Sequence, residues 1–287
     1  VEGDMGADGN GEIKYTLHIS PGKAEINYFK DLWRYRELFL FLAWRDVLVR
    51  YKQTLIGVLW SVLRPLITMI IFTIVFSKLA NLSSNGAPYG IMVFAGTLPW
   101  QFFSNSLSDS GNSLIANSHL ISKVYFPRVI IPASSVIVSL IDFLIAFLIM
   151  LVIMVLWYSF IPPASIVLML PFLALAFFSS LGLGFLVSAL TVKYRDFRYI
   201  VPFIVQFGLY ISPVGFMSSI VPEKWRLLYS LNPIVGVIDG FRWAILGDIS
   251  QPLWWPGVVV SAVVSTLLFV IGFGYFRNTE KAFADVI

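Results

Sequence analysis

The chain contains no cysteine, which excludes disulfides, thiolate nucleophiles and Cys-ligated metals. Charge is scarce too: Asp, Glu, Lys and Arg make up 13% of the 287 residues against 58% hydrophobic. A soluble domain carries about 25% charged residues. That balance, with a mean hydropathy of +0.82, excludes a soluble enzyme, a nucleic-acid-binding domain and a disordered chain. The net charge of +4 does not signal nucleic acid, because the basic residues flank apolar spans. The phosphate-binding pattern G-x-x-x-x-G-K-[ST] is missing. Its nearest fragment, Pro21-Gly22-Lys23-Ala24, has Leu17 where the first Gly belongs and Ala24 where the hydroxyl belongs. There is no H-E-x-x-H zinc motif and no Asp-x-Asp pair. His18 and His119 are the only histidines, and neither sits where a nucleophile–base pair is suggested. The chain is therefore expected to be no enzyme and to bind no cofactor or metal itself.

Long apolar runs take the place of these motifs. A membrane-spanning helix needs about 20 apolar residues. Six stretches qualify, approximately 57–79, 89–116, 129–157, 163–192, 199–217 and 253–276, so an all-α, polytopic fold is expected. Residues 1–26 are expected to be a disordered lead. Residues 27–53 predict an amphipathic interface helix, with Leu38, Phe41, Leu42 and Val49 on an apolar stripe and Lys30, Arg34, Arg36, Arg45, Arg50 and Lys52 on a basic side. An ordinary cytosolic packing helix is the competing reading. With the N-terminus inside, only Lys78, Lys224, Arg226 and Arg242 of the 20 basic residues fall on outer segments, a strong positive-inside bias. Both termini are then cytosolic. Residues 218–252 are expected to form a re-entrant outer segment. Asn232-Pro233, Asp239 and Arg242 argue against a full crossing, since one charge at a span centre costs about 2.5–3.5 kcal/mol.

Three patches carry a family resemblance. The first is Thr54-Leu55-Ile56-Gly57-Val58-Leu59-Trp60-Ser61-Val62-Leu63-Arg64-Pro65-Leu66. The second is Tyr194-Arg195-Asp196-Phe197-Arg198, followed by Tyr210-Ile211-Ser212-Pro213-Val214. The third is Leu231-Asn232-Pro233-Ile234 with Phe241-Arg242 downstream. Together with six spans and an amphipathic leading helix, they resemble the permease subunits of type-2 ABC exporters, closest to the branch exporting O-antigen or teichoic acid. The resemblance covers residue 27 to the C-terminus. It implies a homodimer with two separate ATPase subunits, which hold the ATP and Mg, in a bacterial inner membrane and with a lipid-linked polysaccharide as cargo. It also implies that the amphipathic helix and the loop between spans two and three contact the ATPase. In that loop His119, Leu120, Lys123, Val124, Tyr125 and Phe126 offer apolar side chains to a groove and a charge at its rim. A membrane-surface turn is the competing reading. Exporters of drugs or lipids, and from another class a membrane-embedded glycan polymerase or ligase, are the alternative functions.

A long glycan needs a continuous wet channel, with polar groups for hydroxyls and aromatic faces for sugar C–H faces. Ser104, Ser108 and Asn112 repeat every four residues along span two and form one helical stripe. Trp100, Phe102 and Phe103 stand around it, and Tyr210 and Phe216 follow in and beyond span five. Each ring taken singly fits an interfacial belt better, and only the group as a whole favours a sugar path. Small residues in span four, Ser179, Ser180, Gly182, Gly184 and Ser188, read as close helix packing. Depth counting at about 1.5 Å per residue sets Arg64 and Asp142 at similar depth, with Asp109 as a rival partner. An ion pair is expected there, with snorkelling of Arg64 as its competitor.

Overall fold

A backbone in lipid must satisfy its hydrogen bonds within the segment, and the apolar stretches accordingly fold as helices. The computed structural model describes residues 3–7, 13–17, 28–52, 57–82, 84, 86–247, 252–280 and 283. Residues 54–56 of the first family patch and 248–251 of the expected re-entrant segment lie outside these.

The amphipathic stretch folds as α1 (Tyr28–Arg34) and α2 (Arg36–Lys52). The first apolar run gives α3 (Gly57–Phe72), which continues through a π-helical segment, Thr73–Leu79. Then follow α4 (Tyr89–Ala116), the short α5 (Ser118–Lys123) and α6 (Ile130–Leu156). After a 3-10 turn at Ala164–Leu168 come α7 (Met169–Lys193) and α8 (Phe197–Ile211). The segment expected to be re-entrant contains α9 (Glu223–Tyr229) and α10 (Pro233–Leu246), and α11 (Trp255–Thr279) closes the bundle. The α10 start is built locally: the Asn232 side chain accepts from the Ile234 N–H at 3.2 Å, and Pro233 occupies the first turn.

One expectation changes, and one is met in part. Within the stretch expected to be a disordered lead, Gly3–Ala7 (β1) and Ile13–Leu17 (β2) pair as an antiparallel hairpin, the only strands among the described residues. Among the described residues, four helical stretches are long and apolar enough to cross a membrane: Val62–Leu79, Ile130–Leu156, Ala164–Lys193 and Trp255–Thr279. The other two expected spans form helices but miss those limits for identifiable reasons. Helix α8 has 15 residues, about 22 Å of rise. Helix α4 has 28 residues but carries Gln101, Asn105, Asp109 and Asn112. It can carry them because it runs through the middle of the bundle, against α3, α6, α7, α8 and α10.

Two apolar cores result. The larger surrounds α4 with residues of α6, α7 and α10, including Phe94, Phe102, Phe143, Met150 and Phe241. The smaller gathers Tyr28, Leu42, Leu114, Ile121, Phe126, Phe185, Phe276 and Phe283. It ties the amphipathic helices, the α4–α6 loop and the end of α11 together at one end of the bundle. Here Tyr28 donates to Glu280 at 3.2 Å, and the Arg277 guanidinium lies 3.3 Å from the Tyr28 ring centroid. Burial pushes the Tyr28 phenol well above its ordinary pKa, so it remains a donor.

The small residues of span four pack as expected. A Cβ on Gly272 would run into the Gly182 carbonyl, and one on Gly182 into the backbone of Phe269. Ser179 and Ser265 hydrogen-bond across the same seam at 2.6 Å. Backbone-to-backbone approach of this kind is the usual device where lipid supplies no hydrophobic drive between helices. Gly272→Val is expected to destabilise the protein by about 3 kcal/mol or more, because backbone cannot yield as a side chain can. Gly274→Val, at a position where an added Cβ meets nothing, is expected to cost far less. Thermal unfolding of both variants in lipid nanodiscs checks the contrast.

Candidate functional site

Midway along its length, α2 turns its apolar side partly into the bundle, burying Leu42 and Ala43, while Leu40, Phe41 and Trp44 stay exposed. About two turns further on, Arg50 reaches between two spans. Its Nη2 donates to Asp109 Oδ2 of α4 at 2.6 Å, and its Nη1 donates to Asp142 Oδ2 of α6. The Tyr51 hydroxyl donates to the other oxygen of Asp142. Burial alone would lower the Arg50 pKa, but the two carboxylates outweigh it and leave it raised. The guanidinium therefore keeps its charge throughout the physiological pH range. Earlier on the same helix, Arg45 donates to Asp46 at 2.7 Å and to the Asn117 side chain at 2.8 Å. Arg45, Asp46, Arg50, Asp109, Asn112 and Asn117 line a cavity of about 560 Å³.

This arrangement corrects the expected ion pair. Asp109 and Asp142 do come together, as their depth implied, but the cation between them is Arg50 of the interface helix. Arg64 is exposed. Depth counting considered only spans, and α2 was treated as lying beside the membrane surface. The available signal was the run Arg45, Arg50, Lys52 on a helix whose apolar side also has to meet the bundle.

The expected glycan-path residues separate into two groups. Trp100, Phe102, Phe103 and Ser104 are buried within the chain. Trp100 packs on Gly208 of α8, and Phe102 packs edge-on to Phe143. Buried rings line no wet path in this arrangement. Ser108 and Phe216 are half-buried, and Asn112 and Tyr210 are exposed. In the loop expected to meet the ATPase, His119, Lys123, Val124 and Tyr125 are exposed, with Tyr125 at 72%. Leu120 is half-buried, and Phe126 is not available for docking, because at 4% exposure it belongs to the smaller core. It anchors the loop that displays its neighbours.

A second polar centre lies toward the other end of α4. The Arg242 guanidinium, 4% exposed, donates to the carbonyls of Met92 at 3.1 Å and of Phe216 and Val214 at 2.7 Å each. Gly96 leaves it room, since a Cβ there would sit 2.7 Å from Arg242 Nη2. In the sequence, Arg242 argues against a full crossing and belongs to the third family patch. Its role is to pin the irregular stretch around Ser212-Pro213-Val214 to α4, satisfying carbonyls that no helix satisfies. Met92 and Asp109 are 17 positions apart on α4, so the two centres are separated by about 25 Å along its axis.

A helical bundle with a charged clasp at one end and a pinned irregular segment at the other defines a membrane transport subunit, and residues 37–246 match the ABC-2 type transporter family. The chain belongs to that family. Among individual proteins it is 27% identical over 252 residues to the O-antigen export system permease protein RfbA of Klebsiella pneumoniae, covering 88% of this chain and 95% of that one. It is also 27% identical over 270 residues to the RfbA of Myxococcus xanthus, covering 91% of this chain and all of the relative.

The clasp makes a quantitative prediction. Arg50→Ala leaves two neighbouring carboxylates without their shared cation and is expected to cost about 2 kcal/mol, between the values for exposed and buried pairs. Asp142→Asn introduced into that background should recover part of the loss. A double-mutant cycle by thermal unfolding is expected to give clear coupling between positions 50 and 142, and none between 64 and 142.

Proposed function

We propose that this chain is the membrane subunit of an ATP-driven exporter that carries a lipid-linked, O-antigen-like polysaccharide from the cytosol across a bacterial inner membrane. The similarity to O-antigen export permeases across nearly the whole chain carries the reading. ATP hydrolysis belongs to a separate ATPase subunit, in keeping with a sequence that lacks a phosphate-binding loop. The subunit works as a homodimer with two such ATPases. Support for a second copy comes from α8, which leaves Phe203, Phe207 and Tyr210 exposed, and from the first apolar span, of which only 6% is buried. Such faces suit either lipid or a facing protomer. The accessible path candidates Ser108, Asn112, Tyr210 and Phe216 would then contribute to a channel between two chains.

Six crossings are supported by helix geometry. The interface helices, α5 and the end of α11 share one core, and a chain that starts and ends on one side crosses an even number of times. Burial of α4 against its neighbours compensates its polarity. Residues 212–217, largely buried, extend the short α8. Helices α9 and α10 then form the re-entrant segment at the outer end, and both termini are cytosolic. The exposed loop around Lys123 and Tyr125 is the docking element for the ATPase, and the Arg50 clasp passes its displacement into α4 and α6.

The purified chain alone is expected to hydrolyse no ATP and to acquire turnover only with its ATPase. Lys123→Glu or Tyr125→Ala should lower that stimulated rate several-fold. Depleting the protein in cells should accumulate a lipid-linked glycan in the cytosol. ATP turnover by the isolated chain at the level of the complex, or depletion without glycan accumulation, would overturn the reading.

A further inference from the structure

A cavity of about 480 Å³ opens between α9, α10 and the residues leading into α11, at the end of the bundle away from the Arg50 clasp. Its size is in the range of small-molecule sites, roughly 300–1,000 Å³. Asp239, Arg226, Tyr229, Trp243, Trp254 and Ser218 supply its chemistry.

The donors and acceptors in this lining are unevenly committed. Arg242 directs three of its five N–H donors to the carbonyls of Met92, Phe216 and Val214. Arg226 directs Nε to the Val221 carbonyl at 3.1 Å and Nη2 to that of Ser219 at 3.0 Å, and it lies over the Trp254 ring. The Tyr229 hydroxyl donates to the Ile211 carbonyl at 2.8 Å. Both guanidinium groups thus serve to hold the backbone. Asp239, half-buried and one turn before Arg242, has the Ser218 hydroxyl within hydrogen-bonding reach. Among the described residues it closes an ion pair with neither arginine. A carboxylate has about four acceptor sites, and Asp239 lines the cavity beside two half-buried indoles.

We propose that this cavity is a binding subsite for one sugar unit, with Asp239 accepting from vicinal hydroxyls and the Trp243 indole covering the apolar face of the ring. Resting on the glycan-export reading above, the inference gives that cargo a contact at the far end of its route. The carboxylate accepts from hydroxyl groups, and the two arginines of the same lining offset its charge. The aromatic face adds contact area with little rotamer entropy to lose.

Equilibrium dialysis tests this with the full chain in lipid nanodiscs, using tritiated mannotetraose as the probe. The wild type is expected to bind it saturably, and Asp239→Ala should weaken binding about tenfold. Trp243→Ala should weaken mannotetraose binding about tenfold, and Trp243→Phe should restore most of it. Absence of saturable mannotetraose binding by the folded wild type would overturn the subsite. So would unchanged binding in Asp239→Ala or in Trp243→Ala. Failure here alongside glycan accumulation on depletion removes the subsite alone, whereas depletion without accumulation removes the export reading beneath it.

Discussion

A guanidinium held between two carboxylates from different spans fixes where the interface helix meets the bundle. Without Arg50, Asp109 of α4 and Asp142 of α6 would face one another as like charges in a partly desolvated place, a costly arrangement. With it, three helices are joined by hydrogen bonds from one side chain. Tyr51 fills the remaining acceptor of Asp142. The apolar side of α2 alone could not set this register, since most of its large residues are exposed. Specificity of placement comes from the charges, and the small core around Leu42, Ile121 and Phe126 completes the junction.

Helix α4 links this junction to the opposite end. It carries Asp109 near its C-terminal end, and near its N-terminal end the Met92 carbonyl that receives Arg242. Both ends therefore use an arginine in the same way: a charged group in a low-dielectric setting is tolerated because its donors are matched one by one. A rigid helix between two such pins is suited to carry a displacement of the interface helix to the segment containing α9 and α10. The close seam of α7 and α11 through Gly182 and Gly272 leaves little freedom for the alternative in which the bundle deforms locally.

Helix positions were largely legible in the sequence. The apolar runs located α3, α4, α6, α7 and α11 within a few residues, because span length is dictated by the bilayer. The N-terminal hairpin was not legible, since its Gly- and Asp-rich composition reads as structureless. Of the site, depth counting singled out Asp142 and Asp109 as rival partners of Arg64, but it did not find the cation they share. Depth along a helix says nothing of which neighbour lies alongside, and Arg50 arrives from an element outside the spans. The aromatic residues of α4 misled for a related reason: Trp100, Phe102 and Phe103 are apolar enough for a sugar face and for a core, and only packing decides between them. All three are buried, as is Phe126 in the loop between α4 and α6.

The claim on which the rest depends is that the Arg50 clasp couples the interface helix to the spans. Amide hydrogen exchange across Arg36–Lys52, measured on the assembled complex alongside ATP turnover and glycan export, tests it most directly. For Arg50→Ala the account predicts faster exchange over this helix, with hydrolysis continuing while export per ATP falls. Unchanged protection of Arg36–Lys52 together with unchanged export per ATP would contradict it.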